Sequence, residues 1–301
     1  MYGLTASGSQ RFQCLACRHT YTFHNRLNKI KKEKRWFELW IKEGYSVRQL
    51  SYLSQHSRSK LQRIIQYWLD IPPEPIIDFS KLEYLLFDGT FVHGRKSIVA
   101  LMDSNDHKIY AGEHGISEHS RAQLESFLLP LSQKGLYPKS VTVDGNQQVI
   151  RVFRAIWPDI TIQRCLTHIQ RQGMMWCRRF PKRRDAAHLR RLFQRVPYIK
   201  TSAERDRFIL EFSSWEKRFG IRIDSRPERG KVFSDIKRAR SMLTRALPDM
   251  FAYIDNPSIK PTTNGLEGYF SRLKANYRQH RGLSPDHRVN YFEWHFYLKN
   301  R

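Results

Sequence analysis

Long hydrophobic runs are missing from this sequence of 301 residues. No stretch approaches the ~18 consecutive apolar residues of a membrane-spanning helix, so no membrane partner is expected. The opening segment MYGLTASGSQRF lacks the apolar core of a secretory signal. Cysteine is scarce: four residues form no disulfide framework and point to the reducing cytoplasm. Acidic side chains are the other deficit, with 28 Asp and Glu against 53 Lys and Arg, a net charge of +25. Internal repeats and low-complexity tracts are absent as well. What is present is 40% apolar and 13% aromatic, enough for a real core, which excludes wholesale disorder. The length suggests about two domains at ~150 residues each.

The positive charge is unevenly spread. Residues 1–80 carry a net +7, residues 81–144 a net −1, residues 145–245 a net +16 and residues 246–301 a net +3. Strongly basic segments surround a near-neutral one that keeps several lone acids. Basic surfaces neutralise phosphates and release counterions, so the expected partner is a nucleic acid. Aromatics interleaved with Arg and Lys favour that reading over a merely soluble, supercharged surface.

Near the start, Cys14-Leu-Ala-Cys17 has the spacing of a zinc knuckle. A tetrahedral Zn2+ needs four ligands, and there is no second C-x2-C. His19 and His24 stand at an unusual spacing for completing the site. Residues 1–27 therefore read as half of a zinc ribbon, with the other knuckle expected upstream of Met1; two unliganded thiols are the alternative.

Residues 28–72 read as three helices. The first lies near 31–43 and ends at Gly44, a residue that tolerates the left-handed cap. Ser46 caps the second. In the third, Leu61, Ile64, Ile65, Trp68 and Leu69 form one apolar stripe, and Arg58, Lys60 and Arg63 lie off it. This is the pattern of a helix-turn-helix whose last helix enters a major groove. An ordinary helical bundle or dimerisation unit has the same pattern. Pro72-Pro73-Glu74-Pro75 then marks a domain boundary.

From residue 80 the rhythm changes. Apolar strands are expected at Leu82–Phe87, Ser97–Met102, Lys108–Ile116, Ser140–Val143 and Ile160–Cys165, with helices at Arg121–Lys134, Gln147–Trp157 and from about His168. The order β-β-β-α-β-α-β-α resembles an RNase H-like α/β domain, with a mixed five-stranded sheet of three antiparallel strands and two reached by helical crossovers. Residues 182–258 read as a basic, all-helical insertion in this domain, which runs to residue 301. A helix from Thr263 to about Arg278 and another at Val289–Leu298 complete it.

Two acids stand out. Asp88 and Asp144 each follow an apolar strand and precede a glycine. In this topology the two strands are adjacent and parallel, so both carboxylates emerge at one end of the sheet. Facing carboxylates repel unless a proton or a metal lies between them. Hard oxygen ligands favour Mg2+ or Mn2+. A third acid is wanted from a late helix, and Glu267 in TTNGLEG is the candidate. Two cations about 4 Å apart activate a nucleophile and stabilise a leaving oxygen.

The segments LLFDGTFV, VTVDGN, RCLTH and TTNGLEGYFSRLK together resemble bacterial insertion-sequence transposases of the DDE class, in particular the Mutator-like group with its helical insertion and C-x2-H motif. The spacing of 56 residues from Asp88 to Asp144 and 123 from Asp144 to Glu267 matches that pattern. The resemblance implies a metal-binding triad of Asp88, Asp144 and Glu267 holding two Mg2+ or Mn2+ ions. It implies His168 as an active-site group and Lys274, two helical turns after Glu267, as a contact to the scissile phosphate; a solvated surface lysine is the alternative. Cys165 is expected to be structural. The implied protein is cytoplasmic and nucleoid-associated, binds transposon-end and target DNA, and works as an oligomer, a dimer on DNA. Two other classes share these features: an RNase H-like nuclease or resolvase that cuts without joining, and a domesticated regulator that only binds DNA.

Overall fold

The computed structural model describes residues 2–6, 8–22, 26–74, 77–93, 96–225, 229–280 and 282–299. His24 and Pro75 lie outside the described residues. The chain divides into two compact units, residues 1–72 with 276–291, and residues 73–275 with 292–301.

The first unit opens with a small hairpin, β1 (Arg11–Gln13) and β2 (Thr20–Thr22), antiparallel with Phe12 opposite Tyr21. Three helices follow: α1 (Arg26–Glu43), α2 (Val47–Ser54) and α3 (Arg58–Leu69). Gly44 after α1 has φ of 68°, the left-handed conformation that glycine adopts without a Cβ clash. Ser46 and Gln49 cap α2 reciprocally, each side chain bonding the other's backbone N–H. Ser57 caps α3 by accepting from the Lys60 amide. Phe37, Trp40, Ile41, Leu50, Leu61, Ile64, Ile65 and Leu69 are buried, the last four on the stripe read from the sequence. Residues 276–291 close this core. Asn276 donates to the Lys42 carbonyl at 2.7 Å, Asn290 to the Leu69 carbonyl at 2.7 Å, and His280 packs on Trp40 with ring centres 4.1 Å apart.

The second unit holds the sheet. Its strands are β3 (Tyr84–His93), β4 (Lys96–Asp103), β5 (Ile109–His114), β6 (Ser140–Val143) and β7 (Thr161–Arg164), in the spatial order β5-β4-β3-β6-β7. The β5-β4-β3 pairs are antiparallel, and β3-β6-β7 are parallel. The parallel strands are reached through α4 (Arg121–Gln133) and α5 (Gln147–Ile156). Leu85, Phe87, Val99, Leu101, Val141 and Val143 pack in one core with Leu124, Leu128, Val149 and Phe153 of these helices. Strand side chains alternate, so Leu86, Asp88 and Thr142 project from the opposite face.

The rest of the second unit is helical: α6 (Leu166–Cys177), α7 (Arg184–Arg195), α8 (Ser202–Trp215), α9 (Ile221–Ser225), α10 (Lys231–Ala246), α11 (Ala252–Asp255), and then α12 (Asn264–Tyr277) and α13 (Pro285–Lys299), whose ends fall in the first unit. Leu166, Ile169 and Cys177 of α6 share a core with Leu189, Phe193, Phe208, Trp215, Ile236 and Leu243. The helical part thus begins at residue 166 rather than near 182, because the apolar face of α6 finds its partners on α7 and α10. A π-helical turn at Glu216–Gly220 joins α8 to α9.

Candidate active site

Strand register brings the two aspartates together. Leu86 stands opposite Thr142 in the parallel pair, and two residues further on the same register sets Asp88 beside Asp144. Parallel pairing stops at Leu86, but antiparallel pairing continues, with Asp88 opposite Ala100. Asp88 therefore lies inside β3, whereas the sequence pattern puts it at the strand's end: the hairpin with β4 carries the strand on to His93. Asp144 does follow the last residue of its strand, and its Oδ1 accepts from the Asn146 amide at 2.8 Å. Asp88 Oδ1 accepts from the Gly89 amide at 2.9 Å.

Glu267 sits in the first turn of α12, with its amide bonded to the Thr263 carbonyl at 3.0 Å. Lys274 follows on the same helical face. Cys165 is fully buried just before α6, and its sulfur accepts from both the amide and the hydroxyl of Thr263 at 3.4 Å. These bonds tie the start of α6, which carries His168, to the segment leading into α12. His168 Nε2 lies 3.3 Å from Glu267 Oε1, and Arg171 Nη2 lies 3.5 Å from Glu267 Oε2.

The result is one cleft of about 340 Å3 lined by Asp88, Gly89, Thr90, Glu118, Asp144, His168, Glu267, Phe270, Ser271 and Lys274. All five residues singled out for catalysis from the sequence are in it. Burial, helped by the charges of Asp144 and Glu267, pushes Asp88 up to about 7. Burial, then Asp144 and Asp88, pushes Glu118 up to about 8. The neighbouring Cys165 sulfur, chief among the causes, together with Asp88 and Glu267, pushes His168 up to about 9 against the effect of burial. Protonated, the imidazole forms an ion pair with Glu267.

Sequence reasoning missed two charged residues here. Glu118 comes from the loop between β5 and α4, where no motif marks it. Arg164, at the end of β7, is 4% exposed, and burial foremost pulls its guanidinium below the usual value against the charge of Asp144. The signal for both was the glycine after each aspartate. A Cβ on Gly89 would meet the Glu118 carboxylate, and one on Gly145 would meet the Arg164 guanidinium.

The carboxylate set suits a hard divalent cation in donor type and charge: oxygen ligands whose burial and repulsion a positive ion relieves. Among the described residues, no three His, Cys, Asp or Glu side chains converge as a ready-made ligand group. The fit is one of chemistry and charge.

The candidate DNA-contacting residues on α3 divide. Arg58 and Arg63 are exposed, whereas Lys60 is held in an ion pair with Glu33 of α1 at 3.1 Å. At the candidate zinc pair, Cys14 and Cys17 sit in the turn between β1 and β2. A hydrogen bond from the Cys17 amide, the largest cause, holds the Cys14 thiol below its ordinary range. In the helical part a larger cavity of about 500 Å3 is lined by Arg183, Arg184, Arg218 and Arg222 with Phe219 and Phe233. Among the described residues its one carboxylate is that of Asp185, which pairs with Arg183 at 2.8 Å. No helix among the described residues is long and apolar enough to cross a membrane.

No protein-family model matches the sequence, and no curated protein matches it. Among solved structures the chain is similar to one described as a Drosophila P element transposase strand transfer complex. That similarity has 12% identity and a TM-score of 0.41, and covers 95% of this chain and 94% of the other. A likeness this distant says nothing of what the chain does.

Proposed function

We infer that the chain is a metal-dependent DNA-processing enzyme, a transposase of the DDE type built on an RNase H-like sheet. The observation that carries this reading is the cleft itself. Asp88, Asp144 and Glu267, far apart in sequence, line one opening with His168 and Lys274, on the sheet order and element order that such chemistry uses.

Asp88, Asp144 and Glu267 would hold two divalent cations, Mg2+ or Mn2+. When bound, the cations supply charge neutralisation and activation of the attacking oxygen at a phosphodiester. The chain's own residues do the rest. His168, 3.3 Å from Glu267, fixes that carboxylate's rotamer. Lys274, one face of α12 with Glu267, meets a phosphate at the rim. Positioning and electrostatics carry the reaction, with no covalent protein intermediate. In the first step water attacks a backbone phosphorus and displaces the 3′ oxygen, leaving a 3′-OH and a 5′-phosphate; in the second that 3′-OH attacks a target phosphorus at the same acids and displaces the target strand's own 3′-OH. Joining two ends calls for at least two copies of the chain on DNA, a dimer being the simplest assembly.

DNA is held by the charged surfaces. Arg58 and Arg63 of α3 face a groove, and the arginine-lined cavity of the helical insertion takes the sugar–phosphate backbone. Cys14 and Cys17 are half of a zinc-binding set; the measurement for that role is zinc content of the full chain by mass spectrometry.

The test is cleavage of labelled duplex DNA with Mg2+ or Mn2+ by wild type and Asp88→Asn. Cleavage by wild type alone, with equal DNA affinity for both, supports the reading. Equal cleavage by both overturns it.

A further inference from the structure

Glu118 has a position that the triad does not explain. Its carboxylate is half-buried in the cleft beside Asp88 and Asp144, and no donor among the described residues bonds it. Asp88 is 8% exposed and, among the described residues, receives only the neighbouring Gly89 amide, on one oxygen. One buried and one half-buried carboxylate thus face one opening, and the His168 ring of that opening is engaged with Glu267 at 3.3 Å. Such an arrangement is unfavourable unless a cation enters.

Two features hold Glu118 there. The first is Gly89. A Cβ at this position would lie 2.6 Å from Glu118 Oε2 and 2.7 Å from its Cδ, so the carboxylate occupies the space that a side chain would fill. The second is Asn146. Its amide nitrogen side chain donates to the Glu118 carbonyl at 3.0 Å, while its backbone N–H donates to Asp144 Oδ1 at 2.8 Å. One residue therefore fastens the loop of Glu118 to the carboxylate of Asp144. The glycine of the first Asp-Gly and the asparagine after the second are both used in seating this side chain.

We propose that Glu118 is a fourth carboxylate of the active site, sharing with Asp88 and Asp144 the holding of the divalent cation. The proposal rests on the metal-dependent reading above, and its test separates the two. Mn2+ is titrated into the full chain and the free ion is followed by electron paramagnetic resonance, for wild type, Asp144→Asn, Glu118→Gln and Gly89→Ala. Melting is measured without metal for each. The expected result is about tenfold or greater weakening of Mn2+ binding in Glu118→Gln and in Asp144→Asn. Gly89→Ala, which displaces the carboxylate but keeps its charge, weakens binding in the same sense. Glu118→Gln melts no lower than wild type without metal, since it removes a repelled charge. Wild-type Mn2+ affinity in Glu118→Gln, with Asp144→Asn weakened, overturns the role of Glu118 and leaves the metal reading standing. Wild-type affinity in both overturns both. If Glu118→Gln fails to fold, Gly89→Ala decides: native melting with unchanged Mn2+ affinity overturns the proposal, and weakened affinity supports it.

Discussion

Asp144 accepts a hydrogen bond from Asn146, stands on a strand end beside Asp88 and opens onto solvent through a cleft. Replacing it with Asn keeps size and polarity and removes one charge from the carboxylate set. Strand cleavage is expected to fall by about a thousandfold or more, since an electrostatic contact of this kind is worth that much in the transition state. On the proposed reading DNA affinity stays within about twofold, since Arg58, Arg63 and the arginine-lined cavity are the phosphate contacts. Lys274→Ala separates its two readings: a phosphate contact lowers turnover and raises the DNA concentration at half rate, and a solvated lysine changes neither. At this scale the sequence was uneven in what it disclosed. Asp88, Asp144 and Glu267 were legible because each has a local signature, an apolar strand before Asp-Gly or an acid in the first turn of a helix. Glu118 has none: it sits in a loop, and only the need for glycine at position 89 pointed to a neighbour.

Elements set where those residues go. The apolar run Leu82–Phe87 reads as a strand ending at Asp88, yet β3 continues to His93. The extension, Gly89 to His93, mixes polar residues with Phe91 and Val92 and comes from pairing with β4, which no local pattern encodes. In the same way, the apolar face of α6 announces a buried helix, but not that its partners are α7 and α10 in the insertion. By contrast α2 carries its cap in the sequence, at Ser46, and starts where that cap places it, while the Ser57 cap of α3 is seen only in the structure. Two predictions belong here. Ser46→Ala removes one half of a reciprocal cap and costs about 1 kcal/mol in a urea melt of the full chain. On DNA, Arg58→Ala and Arg63→Ala together reduce the slope of log affinity against log salt by about two, at ~0.9 per phosphate contact. Lys60→Ala changes that slope little, because Glu33 already holds the ammonium.

For the whole molecule, the acid response of the first unit follows from one buried residue. His280 packs on Trp40, and burial foremost pulls its imidazole down to about 4. The unfolded chain binds a proton near the ordinary pKa of ~6.5, so between those values the unfolded state holds more protons and stability falls as pH falls. From pH 7 to pH 5 the loss is about 2 kcal/mol. Hydrogen exchange of the α1 amides should quicken over that range in wild type and not in His280→Gln. The net charge of +25 acts on the molecule as a whole and makes every DNA affinity steeply salt-dependent. It was fully legible from composition. How the charge serves a reaction, rather than binding alone, depends on the acid-lined cleft, which only the fold assembles. The measurement that reaches this point most directly is strand joining. Labelled duplexes from the DNA flanking the gene are incubated with plasmid and Mg2+ or Mn2+, wild type beside Asp144→Asn. Joined product from wild type and none from Asp144→Asn is the predicted result. Specific binding of the flanks by wild type with neither cleavage nor joining would contradict the assignment of this cleft to DNA strand transfer.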